Sequence, residues 1–336
     1  SPIYLRQNEV DNINITAASN NNIHSLAAGI GGAGTFSLAG SAVVTELNTD
    51  TSAYLNSGSS NITKIKADQS LEIESRETNQ IQAEAGSLSF SGAAALGGSY
   101  NKIQLNNNVN SHVGAYAQVE IGNEKYKKAE MNVTSGLINK IDGKAVGGAA
   151  GIGLGAVGVT YLDINDTGKV SSYLGADSDF ENIYSIEVKA DALTRGINTD
   201  KVQAEAVGAG AGLYLGAGGA KSDINVSGDT SAYIDDNVSL INNLHNNWRE
   251  YKNIHINSSS DHRLDNYAFA GGGGAGALTG SDADTVIDTT TRAYTGDQVE
   301  INYSRDTYYN YNVGNWVTIR AAARTAVSTE ANGLNV

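Results

Sequence analysis

Several groups of residues in this chain are of types that could do chemistry. Ser258-Ser-Ser-Asp261-His262-Arg263 contains the hydroxyl, carboxylate and imidazole of a hydrolytic triad. Triad members are brought together from separate elements, so a consecutive run reads as a solvated turn. Carboxylates gather at Asp163/Asp166, Asp177/Asp179, Asp235/Asp236 and Asp282/Asp284/Asp288, and such acids cleave polysaccharides on β-helical lyases and hydrolases. No run clusters them with both Arg and Lys, which counts against that chemistry. The five histidines, His24, His112, His245, His255 and His262, never pair at a ligand spacing such as H-E-x-x-H. No metal or cofactor is therefore expected. Gly153-Leu-Gly155-Ala-Val-Gly158 fits G-x-G-x-x-G, but no helix signal follows it and no βαβ unit supplies the acidic partner, so nucleotide binding is discounted.

The elements that would position any of these residues recur. A short tyrosine strand returns around Tyr54, Tyr116, Tyr173, Tyr233 and Tyr294, at intervals of 62, 57, 60 and 61 residues. An apolar pair flanking one polar residue runs in step, as Ile13/Ile15, Leu71/Ile73, Met131/Val133, Ile186/Val188, Ile254/Ile256 and Val317/Ile319. Between the two lies an Ala/Gly tract. The repeats fall near 10–70, 71–130, 131–185, 186–253 and 254–316, with a partial copy over 317–336. Alternation such as Ile13-Asn-Ile15-Thr-Ala17 has period 2, and amphipathic stretches of helix length are missing, so the local structure is strand. Regular Asn-Gly or Asp-Gly hairpin turns are also missing. The expected fold is all-β, a right-handed parallel β-helix. Each repeat would make about three coils of ~20 residues, giving about 16 coils and a rod of ~75–80 Å.

Composition agrees with a thin, repetitive interior. Among 336 residues there are 39 Gly but only 4 Phe, 1 Met and 2 Trp, too few bulky side chains for large round cores. One Pro and no Cys leave no covalent staples. A net charge of −14 opposes phosphate-tracking surfaces, so nucleic acid is not an expected partner. In the fourth repeat Val207, Ala209, Ala211, Leu213 and Leu215 alternate with Gly208, Gly210, Gly212, Tyr214 and Gly216. The apolar set is expected to point inward and the glycines outward, a bare face open to close approach. Because alanines offer lipid little, no stable membrane insertion is expected.

Spacing also locates a variable region. From tyrosine to the next apolar pair the distances are 17, 15, 13, 21 and 23 residues, so the last two connections are longest. They carry both tryptophans and much of the tyrosine. Loops of repeat proteins gather on one face and Tyr and Trp are preferred recognition anchors. Trp248, Tyr251, Tyr308, Tyr309, Tyr311 and Trp316 are accordingly the candidate partner-binding residues.

The sequence Gly216-Ala-Gly-Gly-Ala-Lys-Ser-Asp-Ile-Asn-Val226 followed by Thr230-Ser-Ala-Tyr-Ile234 resembles repeats of the fusobacterial leukotoxin and filamentous-adhesin (haemagglutinin-like) family, exoproteins exported by two-partner secretion. The resemblance extends over roughly 10–336 and rests on degenerate repeats. It implies a non-catalytic segment, secreted or held at the bacterial cell surface, that contributes to leukocyte toxicity or attachment. A host-cell receptor, protein or glycan, and an outer-membrane secretion partner would be its partners. The chain is expected to be a fragment of a longer exoprotein. A β-helical polysaccharide lyase or hydrolase is the alternative.

Overall fold

The structure, a computed structural model, describes residues 10–123, 128–242, 253–303 and 316–336. The first coil comprises β1 (Asn12–Ala33), β2 (Phe36–Leu55) and β3 (Lys64–Ala67). The second is β4 (Ser70–Ser91), β5 (Ala94–Val113) and β6 (Gln118–Ile121), and the third β7 (Glu130–Gly151), β8 (Gly155–Leu174) and β9 (Asp179–Glu181). In the fourth, the first side is split into β10 (Ser185–Arg195) and β11 (Val202–Gly212), followed by β12 (Leu215–Ile234) and β13 (Ser239–Asn242). β14 (Asn253–Gly273), β15 (Gly276–Thr295) and β16 (Glu300–Tyr303) form the fifth, and β17 (Trp316–Asn335) begins a sixth. Equivalent strands pair in parallel, so the described residues form three stacked sheets: sheet I from the first sides, sheet II from the second sides, and sheet III from the short strands. This is a parallel β-helix.

The apolar pairs mark the rungs as expected. Ile13 pairs with Leu71, Leu71 with Met131, Met131 with Ile186, Ile186 with Ile254, and Ile254 with Val317. That register also corrects the coil count. One repeat makes one coil of about sixty residues, not three coils of ~20, so five full coils and a sixth first side replace the sixteen expected. At ~4.8 Å per rung the stack is roughly 25–30 Å tall, whereas strands of 20–22 residues run about 65–70 Å. The molecule is a broad blade rather than a pillar.

Polar clusters that resemble corners in sequence lie inside strands, which is why the count differs. Asn21, Asn79 and Asn139 fall in mid-strand and form an interior ladder, with Asn21 Nδ2 donating to Asn79 Oδ1 (2.8 Å) and Asn79 Nδ2 to Asn139 Oδ1 (2.9 Å). Stacked amides satisfy one another without a turn.

The tyrosine column needs a second correction. Tyr54, His112, Tyr173, Tyr233 and Tyr294 stack, with ring centroids 4.6–5.2 Å apart and planes within 9°. His112, not Tyr116, fills the second rung. Tyr116 sits in the following turn at φ 61°, the left-handed position that Asp177, Asn237 and Gln298 occupy in later coils. With His112 in register, the distance from apolar pair to ring is 41, 41, 42, 47 and 40 residues. The outlier has a physical cause: residues 196–201 bulge out between β10 and β11, while β7 runs past them uninterrupted.

The core tapers across the blade. Near sheet III it holds the largest buried side chains, with Phe180, Leu71, Ile73 and Met131 almost wholly buried. The mid-blade cluster is built on Ile81, Ile103, Ile141 and Leu162. At the bend joining sheets I and II only Ala95, Ala149 and Ala156 remain as a cluster. There the inward positions hold only small residues, glycine with alanine, serine and threonine, and where glycine falls opposite the facing strand the sheets meet backbone to backbone. A Cβ on Gly208 would lie 1.9 Å from the Gly219 carbonyl oxygen, and one on Gly218 2.2 Å from that of Gly271. Sheets filled by larger side chains stand ~10 Å apart.

Candidate functional site

Three regions carry functional groups, and the long connections come first. One runs from β13 to β14 and the other from β16 to β17. β13 pairs with β16 and β14 with β17, so both connections leave and return at neighbouring rungs of the corner between sheets III and I. Spacing had placed them on one edge, and their anchor points do lie together. Trp248, Tyr251, Tyr308, Tyr309 and Tyr311 lie outside the described residues. Trp316 opens β17 beside Asn253 and is 60 % exposed.

The second region is the outer face of sheet II, where the acidic residues separate by strand parity. Asp163 faces out and Asp166 faces in, although they are only three residues apart. Outward, Tyr161 Oη donates to Asp223 Oδ2 (2.9 Å), and Lys221 Nζ lies 3.1 Å from Asp223 Oδ2 and 3.5 Å from Asp282 Oδ2. Burial pushes the Asp163 carboxyl up, and burial together with the bond to Asp223 pushes the Tyr161 hydroxyl up. Asp223 thus sits between Lys221 of its own strand and the Tyr161 phenol of the adjacent rung, and Asp282 shares the same lysine across rungs, a grouping that only the stacking completes. Inward, Asp166 accepts from Asn139 Nδ2 (2.7 Å) and Thr194 Oγ1 (2.8 Å), and burial raises its pKa to about 6. His262 Nδ1 lies 3.2 Å from Thr194 Oγ1, and burial lowers its pKa. Because the Thr194 hydroxyl is committed to Asp166, the His262 ring nitrogen is the donor. A cavity of about 10 Å³ adjoins this chain, too small and closed for a substrate. The triad-like run is dispersed by the same parity: Ser258, Ser260 and His262 point inward, Ser259, Asp261 and Arg263 outward. Arg263 pairs with Asp261 (2.8 Å).

The G-x-G-x-x-G run is neither a phosphate loop nor followed by a helix. Gly153 lies in the bend and Gly155 and Gly158 in β8, where a Cβ on Gly158 would meet the Ala209 carbonyl oxygen at 2.1 Å. Among the described residues no group of three or more His, Asp or Glu is arranged to hold a metal ion.

The third region is the thin edge itself, and it reverses the expected orientation. Gly208, Gly210 and Gly212 are buried against sheet II, while Ala209, Ala211 and Leu213 face outward. The reason is separation: with the two backbones in contact, no side chain fits between them and the aliphatic groups must turn out. Ile30, Leu38, Ile152, Leu154, Leu213 and Leu278 are 61–82 % exposed. On sheet I a trough of about 390 Å³ is floored by Gly148, Ala150, Ala209, Ala211, Gly271 and Gly273, between walls that include Leu88, Phe90, Phe269 and Leu334. Sequence reasoning found the alternation but assigned its faces the wrong way round. No family model, curated protein or solved structure matches this chain.

Proposed function

We propose that this chain is a non-catalytic segment of a large secreted bacterial exoprotein of leukotoxin or filamentous-adhesin type. It serves as a β-helical body that presents a host-cell recognition surface, in leukocyte toxicity or attachment. Support comes from the one corner where the repeats depart most from one another: two connections rich in Tyr and Trp spring from neighbouring rungs, on a scaffold whose other repeated positions serve stacking. Partners of this reading are a protein or glycan receptor on the leukocyte surface and the outer-membrane secretion partner of the parent exoprotein. Nucleic acid is disfavoured by the charge of −14. The test is binding of the fluorescently labelled chain to leukocytes. Replacing Trp248, Tyr251, Tyr308, Tyr309 and Tyr311 together by serine should reduce it at least tenfold, and undiminished binding would move recognition elsewhere.

The outer face of sheet II favours a second reading, a carbohydrate-active enzyme, because Tyr161, Lys221 and Asp223 converge there. Incubation with acidic and neutral polysaccharides distinguishes the two. Turnover that disappears in Asp223→Asn would establish the enzyme, and its absence across the panel would leave the recognition reading standing.

A further inference from the structure

We propose that the thin edge of the blade, where sheets I and II meet, inserts into the outer leaflet of a zwitterionic lipid bilayer. This reverses the expectation drawn from the alanines, because Ile30, Leu38, Ile152, Leu154, Leu213 and Leu278 stand outward. It goes beyond the recognition reading and does not depend on the connections at the opposite corner.

The first observation is the extent of the uncharged surface. Each of the coils is free of charged residues around the bend, and in the second to fourth coils the limits fall within two residues of one register, the first coil being uncharged from Asn12 to Thr45. Glu84, Lys144 and Glu205 are neighbours on sheet I, and Lys144 pairs with Glu205 at 2.8 Å. On sheet II the limits are Lys102 beside Asp163 and, two residues nearer the edge, Lys221 beside Asp282. From Lys144 to Ile152, and from Leu154 to Tyr161, seven or eight residues of strand give an uncharged depth of about 23–26 Å. Half a bilayer with its headgroups measures ~20–22 Å.

The second observation is shape. The aliphatic residues cover both outer faces and the bend between them, so the apolar surface wraps a convex edge. One flat partner, or one second copy, could cover a single side, whereas lipid surrounds a wedge on both. Tyr100 and Tyr161 stand side by side on sheet II at the limit of the uncharged zone, with ring centroids 5.6 Å apart, and Tyr267 lies beside Glu205 at the limit on sheet I. Amphipathic rings with lysines at such a boundary match the headgroup level.

The third is hydrogen bonding. Hydrocarbon admits only backbone whose polar groups are already paired. In β4, β7, β11 and β14, and in β5, β8 and β12, both strand edges are engaged by neighbouring rungs. In the fourth coil the inward glycines close the edge without polar side chains, while in the first two coils small buried serines line it, Ser89 donating to Ser37 Oγ (2.8 Å) and Ser91 to the Thr35 carbonyl (2.7 Å). Charge selects the lipid: the uncharged wedge sits on a body of net charge −14, which anionic headgroups repel.

The test is flotation of the chain with phosphatidylcholine vesicles, with and without phosphatidylserine. The chain should float with phosphatidylcholine and bind less well once phosphatidylserine is added. Leu154→Asp and Leu213→Asp should each weaken binding about a hundredfold. Both side chains point into solvent, at 74 % and 61 % exposed, so thermal unfolding should be unchanged and certify the fold. Asn165→Asp, on the polar part of sheet II, should leave binding unaltered. Leu154→Trp should show fluorescence quenching by brominated acyl chains. The proposal is overturned by absence of flotation with phosphatidylcholine, by binding that tolerates both aspartates, or by a dimer that these substitutions abolish in a chain that does not bind vesicles.

Discussion

The two ends of each coil are made from the same period-2 strands, yet they solve opposite packing problems. At the broad end, Phe180, Leu71, Met131 and their neighbours fill the space between three sheets. The adjoining outer surface of sheet II is a ladder of stacked aromatic rings. At the thin end the space between sheets I and II has vanished. Glycine faces glycine, and the aliphatic residues of the alternation stand in solvent. Alternation fixes only that two faces differ. The size of the smaller set determines how closely a second sheet can approach, and that approach decides which set lies inside. A strand of Gly and Leu can thus bury its glycines when its partner sheet also lacks side chains.

The sharpest way to break this comparison is to add one methyl group inside the thin end. Gly208→Ala should destabilise the fold by about 4 kcal/mol or more, because the obstacle is backbone on the facing sheet and cannot rotate away. Its Cβ would lie 1.9 Å from the Gly219 carbonyl oxygen. Gly86→Ala, on the outer face of β4 with nothing within 4 Å, should be neutral or stabilise by up to about 1 kcal/mol. Equal losses in urea unfolding would remove the idea of sheet-to-sheet contact through glycine.

A second outcome concerns the polar layer between the two ends. Burial raises Asp166 from 3.8 to about 6, so the folded chain holds this proton more tightly than the unfolded one. Stability from this group is complete below the unfolded value and is lost as pH rises from about 4 to 6, a change of about 3 kcal/mol. His262 works in the opposite sense. Its lowered value favours the fold as pH rises through the unfolded imidazole range. Asp166→Asn should therefore stabilise the chain at pH 8 by about 2 kcal/mol and leave it little changed at pH 4. Urea midpoints at the two pH values check this, and equal midpoint shifts would show that Asp166 is not desolvated as described.

The smallest expected effect sharpens the broad end. His112→Tyr completes the ring column, trading the contact of His112 Nδ1 with Asn110 (3.1 Å) for a larger stacked ring. A gain of at most about 1 kcal/mol is expected. A clear fall in Tm would show that this rung requires an imidazole.

Particular residues show how far the sequence could be read. The apolar pairs were legible because a position that must fill the same core slot in each rung keeps its character. Four of five ladder rungs were legible for the same reason. The fifth was missed because stacking asks only for a flat ring, which His112 supplies, while Tyr116 offered the familiar letter in a turn. The 47-residue spacing in the fourth repeat was the sign of the 196–201 bulge, but it stood out only after His112 had replaced Tyr116 in the count. Lys221 and Asp223 stand two residues apart on one strand, but Tyr161 could not be joined to them locally, since it lies on the adjacent rung about sixty residues away. The candidate loop residues were legible as a composition and a spacing, and the structure adds the shared corner from which their connections spring.

By itself the amino-acid order determined strand as the local structure, parallel stacking as its use, and a repeat near sixty residues with its apolar and aromatic columns. These follow from side-chain alternation and from like residues meeting in successive rungs. Coil length and the direction of the Gly/aliphatic alternation were decided only by tertiary structure. Whether an Asn cluster makes a corner or a ladder depends on the neighbouring rung, and which face is inside depends on how near the opposite sheet can come.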